Sequence, residues 1–286
     1  MTETIVSMNG TLVLDGSASL PVLDHAVLYG DGLFDTVVAH QGAIFKLAEH
    51  LDRCYRGMRV LRLELPVPRE TLVAWIQATT DACRSEYVYT KWIVTRGSNG
   101  TPLMDPRGCR PNVIVLARPY PRRDYGEGAG VRLKTVAIRR PPSIAADARI
   151  KSLNYLNLVL AKLEAQSAGA DEALLLDTDG HVCEAPGFNV FAIRGDQLVT
   201  PRSCVLEGVT RAVVLAMAGA HGLSPAVTDL ELYDLYTADE VFLTSTAGGV
   251  LPVSTVDGIG IGAGTGPRTR ALAGAYWGLV RGALAR

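Results

Sequence analysis

The stretch RIKSLNYLNLVLAK, residues 149–162, sets Lys151 between Ile150 and Ser152 at the start of an apolar run. Leu153, Leu156, Val159, Leu160 and Leu163 recur at helical period, so the stretch reads as an amphipathic helix with one leucine face toward a core. Ser152 is suited to cap its first turn. A lysine just outside a helix start lies at the positive end of the dipole, where its charged form is disfavoured. That inclines Lys151 toward work as an amine nucleophile or proton carrier. The plainer alternative is a solvated surface lysine.

The regions on either side contain strands and helices. Asn9-Gly10 separates two apolar runs and Gln41-Gly42 another two, each a hairpin signal. Residues 46–63 and 68–85 carry helical periodicity, and Pro68 stands at the entrance of the second helix. YVYTKWIVTRG and NVIVLARPY read as strands around a loop at 97–112. RPYPRRDYGEG (118–128) combines Pro, Gly and charge with few apolar residues, and marks a domain boundary. The expected division is a small domain over 1–118, a linker over 119–128 and a larger domain over 129–286. In the second half, VRLKTVAIRR reads as a strand, DEALLLDTDGHVCEA as a hairpin turning at Asp179-Gly180, and FNVFAIRGDQLVT as one strand. Helices are expected from Gly208, within 231–238 and from about Pro267. GIGIGAGTGP (258–267) lacks the GxGxxG spacing and reads as a surface loop.

Composition narrows the function. A chain of 286 residues, 48% hydrophobic and 20% charged, can bury a sizeable core. The net charge of −1 gives no reason to expect nucleic acid or an acidic membrane surface as a partner. No signal peptide and no membrane span are expected. Five scattered cysteines without CxxC argue for reduced thiols in the cytoplasm, and neither they nor the five histidines have metal-site spacing.

Four further stretches carry chemistry. EGVTRAVV (207–214) opens a helix after Gly208, so the amides of Val209 and Thr210 and the Thr210 hydroxyl form a phosphate cradle or a plain capped helix. TSTAGGV (244–250) places Thr244, Ser245 and Thr246 before a small-residue turn that holds anionic oxygens or nothing. Arg53 sits on a helix otherwise facing the core, where an arginine usually meets an anion. Glu184 lies between a strand and a Pro-Gly turn, as an edge carboxylate or a partner for a cation. Together these give an amine, a phosphate site, a second anion clamp and a lone carboxylate, which is what pyridoxal 5′-phosphate requires.

With these motifs in this order, the sequence resembles the class IV (fold-type IV) pyridoxal-phosphate-dependent aminotransferases. The likeness runs from DHAVLYGDGLFDT through HLDRCYR, VTRG, IKSLNYLNLVLAK, EAPGFNVF and LEGVTR to DEVFLTSTAGGVLPV. It implies an α/β fold of two domains, a small N-terminal one and a larger mixed C-terminal one, with the cofactor in the cleft between them, and a homodimer. It implies that Lys151 forms the Schiff base and moves the substrate proton, and that Glu184 meets the pyridine nitrogen. It further implies that Arg53, Val209, Thr210 and Thr246 hold the phosphate, that Ser245 belongs to the cofactor site, that Leu206 lies against the ring, and that Tyr155 stands near the 3-hydroxyl.

Substrate residues implied in the same way are Tyr29, Phe34, Thr36, Val38, Tyr89, Lys91, Arg96, Thr246 and Ala247. Tyr29, Phe34 and Tyr89 are shared with branched-chain enzymes. Those enzymes usually have Gly-x-Arg where Thr36-Val37-Val38 stand and arginine where Lys91 stands. Arg96 aligns with the carboxylate-binding arginine of D-amino-acid aminotransferases, and STAGGV and GFNV are similar to (R)-amine transaminases. Thr36, Lys91 and Arg96-Gly97 are similar to aminodeoxychorismate lyases, although SNGTPLMDP replaces the segment that follows in those enzymes. The expected reaction is transamination between an amino donor and a 2-oxo acid. The reading leans to a D-amino acid or (R)-amine donor over branched-chain L-amino acids, with 4-amino-4-deoxychorismate lysis as a further alternative and a non-catalytic binding module as another.

Overall fold

The computed structural model describes residues 4–13, 15–120, 130–262 and 265–282. The chain forms two compact units, one of Met1–Arg122, Ile150–Asn154 and Val280–Arg286, the other of Arg123–Arg149 and Tyr155–Leu279. From residue 121 on, the expected linker lies outside the described residues.

The first unit contains β1 (Ile5–Met8), β2 (Thr11–Val13), α1 (His25–Tyr29), β3 (Gly32–His40), β4 (Ala43–Ile44), α2 (Leu47–Leu61), α3 (Arg69–Ala82), β5 (Tyr87–Ser98) and β6 (Arg110–Pro119). Its sheet runs β2-β1-β6-β5-β3-β4, with every pair antiparallel. Asn9 (φ 49°) and Gly10 (φ 87°) take the left-handed conformations that a tight hairpin turn needs, which is why Asn-Gly stands there. Period-two alternation sorts the faces. Leu33 and Val37 of β3, Trp92 and Val94 of β5 and Val113 and Val115 of β6 pack against Leu51, Cys54 and Met58 of α2 and Leu72 and Ile76 of α3. Asp24 is fully buried: it caps α1 through the amide of Ala26 (2.8 Å) and accepts from Thr95 Oγ1 (2.8 Å) and Asn112 Nδ2 (3.0 Å).

The second unit contains β7 (Val131–Arg139), α4 (Leu156–Ser167), β8 (Glu172–Leu176), β9 (Glu184–Ala185), β10 (Phe188–Arg194), β11 (Gln197–Pro201), α5 (Val209–Met217), β12 (Ser224–Thr228), α6 (Leu232–Tyr236), β13 (Glu240–Ser245), β14 (Gly249–Val256), β15 (Ile259–Gly260) and most of α7 (Pro267–Arg281). Its mixed sheet runs β12-β11-β10-β13-β14-β7-β8, with β15 on β14 and β9 on β10. Leu174, Val190, Leu243 and Val253 anchor its main core, and Phe191 stacks on Phe242 with ring centroids 4.9 Å apart.

Several local expectations are corrected. The helix of the opening stretch begins at Leu156 with Tyr155 as its N-cap, and Ser152 caps nothing there. Ile150–Asn154 instead runs extended against β3: Leu33 bridges Ser152, and the amides of Phe34 and Leu153 donate to the carbonyls of Lys151 and Gly32 (3.0 Å each). A backbone paired with a strand cannot also join a helix, so the dipole argument for Lys151 no longer holds. The leucine face is corrected too. Leu156, Val159, Leu160 and Leu163 are 70%, 51%, 44% and 53% exposed, whereas Leu158, Ala161 and Ala165 pack on Val136, Ala173 and Leu175. The sheet takes the alanine face because small side chains allow closer approach. FNVFAIRGDQLVT is a hairpin, β10–β11, and not one strand. The hairpin expected at Asp179-Gly180 shrinks to a single Leu176–Val182 bridge, because β9 pairs with β10. Strand β12 was not foreseen: SPAVT holds a proline and is mostly exposed, as suits an edge strand. Ile259–Gly260 of the glycine run forms a short strand, and residues 263–264 lie outside the described residues.

Candidate active site

In the first unit, Phe34, Thr36 and Val38 share the face of β3 opposite α2 and α3. Their antiparallel partners on β5 are Ile93, Lys91 and Tyr89. Five of the expected substrate residues therefore meet on one sheet face by period two alone. Thr36 and Val38 are buried; Phe34, Tyr89 and Lys91 are half-buried. The Phe34 ring holds two ammonium groups: Lys91 Nζ and Lys151 Nζ each lie 4.5 Å from its centroid. Lys151 is thus positioned by backbone pairing to β3 and by its ring contact with Phe34.

Directly behind this face, Asp35 points to α2. Arg53 donates to both of its oxygens, Nε to Oδ2 (3.0 Å) and Nη2 to Oδ1 (2.6 Å), and His50 Nδ1 lies 2.9 Å from Oδ1. Burial by itself would raise the Asp35 pKa, but the Arg53 and His50 charges and hydrogen bonds overcome it and hold the carboxyl well below the usual range. Burial pushes His50 down despite Asp35, helped by Arg53 and Lys151. The anion that Arg53's burial called for is therefore Asp35, which sequence reasoning missed; a phosphate role for Arg53 rests on the resemblance.

Arg96, expected among the substrate residues, is engaged within the first unit. Its Nε and Nη2 donate to Asp31 (2.5 and 3.0 Å), and Nη1 and Nη2 donate to the carbonyls of Arg62 (3.2 Å) and Leu61 (2.8 Å) at the end of α2. All three nitrogens are engaged, and the side chain serves as a helix-end clamp. Tyr29 donates its hydroxyl to the Pro102 carbonyl, tying α1 to the 97–112 loop.

In the second unit, Glu184 on β9 is buried. Oε1 pairs with Arg140 Nη2 (2.8 Å), and Oε2 accepts the Leu206 amide (2.8 Å). Asn189, opposite Glu184 in the β9–β10 register, donates Nδ2 to the Leu206 carbonyl (2.8 Å). The Leu206 peptide is thereby held at both ends. Two residues on, a Cβ at Gly208 would lie 2.1 Å from Asn189 Oδ1, so only glycine fits. Gly208 caps α5 without a side-chain hydrogen bond, which leaves the first-turn amides from Val209 and Thr210 onward to an outside acceptor. Thr210 and Val209 are buried, and Thr210 Oγ1 lies 3.4 Å from the Tyr276 hydroxyl, which is also 3.4 Å from the Thr246 carbonyl. Ser245 Oγ accepts the Gly248 amide (2.9 Å), closing the turn that carries Thr246 and Ala247. Thr244 Oγ1, on β13 opposite Asn189, is buried without a hydrogen-bond partner. Tyr155 packs beside Val136 and Leu158.

The residues fit the implied cofactor. An uncapped helix start with a forced glycine and an orphaned hydroxyl suits a phosphate, and a buried carboxylate fixed by an arginine and an amide suits a protonated ring nitrogen. Asn189, Arg140 and Tyr276 were missed. Asn189 lay within the quoted GFNV, but neither an isolated arginine after a strand nor a tyrosine on the last helix carries a sequence signal.

Comparison with known proteins agrees. Residues 32–256 match the model of the family described as amino-transferase class IV. The chain is 40% identical over 256 residues to the putative branched-chain-amino-acid aminotransferase of Methanocaldococcus jannaschii, covering 88% of each. It is 35% identical to the branched-chain-amino-acid aminotransferase of Pseudomonas aeruginosa, covering 98% of this chain and 94% of that one. The T.th. branched-chain amino acid aminotransferase, solved with pyridoxamine 5′-phosphate, superposes with a TM-score of 0.93 at 34% identity over 99% of this chain and 95% of that one. With its site residues and its likeness to these enzymes pointing the same way, the chain belongs to the class IV aminotransferases and is a transaminase that works with pyridoxal 5′-phosphate.

Proposed function

We propose that the chain is a branched-chain L-amino-acid aminotransferase that passes the amino group to a 2-oxo acid. The observation that carries this choice is the pairing of an apolar substrate face, Phe34, Val38 and Tyr89, with an Arg96 already spent on Asp31 and the end of α2. The D-amino-acid reading needed that arginine for a substrate carboxylate. The named relatives are branched-chain enzymes, which favours the same choice over the D-amino-acid and (R)-amine donors.

When bound, pyridoxal phosphate supplies a carbonyl for the incoming amine and a sink for the electrons left on its α-carbon. Lys151 Nζ would hold the cofactor at rest, take the α-proton as general base and return it as general acid. The backbone pairing to β3 fixes the base of that side chain, and Phe34 lies beside its nitrogen. Lys91, on the same ring, offers a cation to a carboxylate of the acceptor. Glu184, fixed by Arg140 and the Leu206 amide, would keep the ring nitrogen protonated. The first amides of α5, the Thr210 hydroxyl and the Ser245–Thr246 turn would bind the phosphate, and Arg53, Leu206 and Tyr155 would complete the contacts the family implies.

The exposed Leu156, Val159, Leu160 and Leu163 on α4 support assembly as a homodimer, because a contiguous apolar helix face marks an interaction surface. Five unpaired cysteines fit a reducing compartment such as the cytoplasm.

The test is a single-turnover screen of the pyridoxal-phosphate form against L-leucine, D-alanine and (R)-1-phenylethylamine, followed by absorbance. L-Leucine should convert the cofactor at least about tenfold faster than the others, a discrimination of ~1.4 kcal/mol. Faster conversion by D-alanine or the amine would overturn the assignment.

A further inference from the structure

Around Cys183 and Cys204 lies a cluster of donor atoms that the transamination chemistry does not use. A carboxylate oxygen of Asp177, Cys183 Sγ and Cys204 Sγ all lie within 4.8 Å of one another. Asp177 and Cys183 are buried; Cys204 is half-buried and gives the group access to solvent. Two sulfurs bound to one zinc at about 2.3 Å in tetrahedral geometry stand roughly 3.8 Å apart. The two sulfurs therefore need to close by no more than about 1 Å, and the carboxylate oxygen by little more, to share an ion.

The surroundings orient these donors. Asp177 Oδ1 accepts the amides of Asp179 (2.9 Å) and His181 (2.8 Å), which fixes the carboxylate plane. His181 Nδ1 stands 3.4 Å from Asp177 Oδ2, within reach as a fourth ligand or as a support for the carboxylate. Cys183 Sγ lies 3.7 Å from the His181 carbonyl, which holds the sulfur against the same turn. Cys204 adopts φ +56°, a left-handed conformation that few non-glycine residues take, and this conformation accompanies its place in the cluster.

We propose that Asp177, Cys183 and Cys204 form a binding site for one thiophilic divalent cation of the zinc or cadmium type, with His181 or water in the fourth position. Burial pushes both thiols up, and for each the Asp177 charge adds to the effect. A divalent cation reverses that bias by taking the thiolates as ligands and releasing their protons. The role is that of a clamp. Cys183 immediately precedes Glu184, and Cys204 lies two residues before Leu206, whose amide binds Glu184. An ion shared by the two sulfurs would tie β9 to the loop that leads into α5. The site stands apart from the substrate assignment and does not depend on it.

The test uses the pyridoxal-phosphate-loaded enzyme, reduced with a phosphine and freed of metal, titrated with Cd²⁺ while the ultraviolet thiolate-to-cadmium band is recorded. One equivalent per chain should saturate the band, and at hundredfold excess over the dissociation constant Zn²⁺ should raise Tm by roughly 5 °C. Cys183→Ser and Cys204→Ser should each at least halve the band, the double variant should abolish it, and Asp177→Asn should weaken binding at least about tenfold. Circular dichroism confirms that the variants are folded, and Cys204→Ala serves where Cys204→Ser does not fold. The proposal is overturned if the wild type shows no band, if the Cys183→Ser/Cys204→Ser double variant keeps it, or if the two thiols are found only as a disulfide that phosphine does not open.

Discussion

At the scale of the residue, Asp35 and His50 are a buried pair whose protonation the fold opposes. His50 is buried and its pKa lies below the ordinary value, so the folded protein resists protonating it. Stability from a group depressed in this way is complete above its unfolded pKa of about 6.5 and is lost as pH falls below it. Asp35 is depressed as well, so its contribution survives until the solution is far more acid. Wild-type Tm should therefore begin to fall between about pH 6.5 and 5.5. His50→Gln, which keeps a polar group beside Asp35 but cannot titrate, should flatten that slope. An unchanged slope in the variant would place the titrating group elsewhere. Arg53 shows how far the sequence could be read here. Its place on a core-facing helix pointed to an anion, but the partner sits on the strand β3, and no spacing rule links positions 35 and 53.

At the scale of the element, the loop before α5 depends on Gly208. A methyl group there meets Asn189 Oδ1 at 2.1 Å and Arg211 Cβ at 3.3 Å. Gly208→Ala should cost about 1–3 kcal/mol of stability, as overpacking usually does. It should also weaken cofactor binding about tenfold or more, measured by fluorescence titration, because the amides it introduces are displaced. Asn189→Ala should cost less in the Gly208→Ala background than in the wild type, since the substitution then also relieves the clash. Equal costs in both backgrounds would mean that the two residues do not touch. The helix start itself was legible in EGVTRAVV, because glycine before a hydroxyl and an apolar run is a local pattern. The true start of α4 was not. Ser152 has the chemistry of a cap, but β3 takes the backbone around it, and a long-range pairing leaves no local trace. The Asp177, Cys183 and Cys204 cluster escaped notice for the same reason: its donors come from a turn and a distant loop at no metal-site spacing.

At the scale of the whole molecule, the hairpins at Asn9-Gly10 and Gln41-Gly42 and most of the helices were readable from period and punctuation. The second sheet was less so, because its order depends on parallel pairings such as β14 with β7 and β11 with β12 that no adjacent turn specifies. The leucines of α4 were read correctly as an apolar face but wrongly as core. The proposed homodimer rests on their exposure. Leu156→Glu with Leu160→Glu should shift the species in light scattering from twice the chain mass toward 30.5 kDa without loss of secondary structure. A wild-type mass retained by the double variant would move the interface to another surface.

Lys151, paired to β3 and beside Phe34, is the lysine proposed to bear the cofactor. Lys91 makes this a sharp question, since its ammonium lies at the same 4.5 Å from the same ring. Borohydride reduction of the loaded enzyme followed by peptide mapping reads the answer directly. The pyridoxyl group should be found on Lys151 at close to one per chain, and Lys151→Ala should carry none. The group on Lys91 or any other lysine, or no stable adduct at all, would contradict the account.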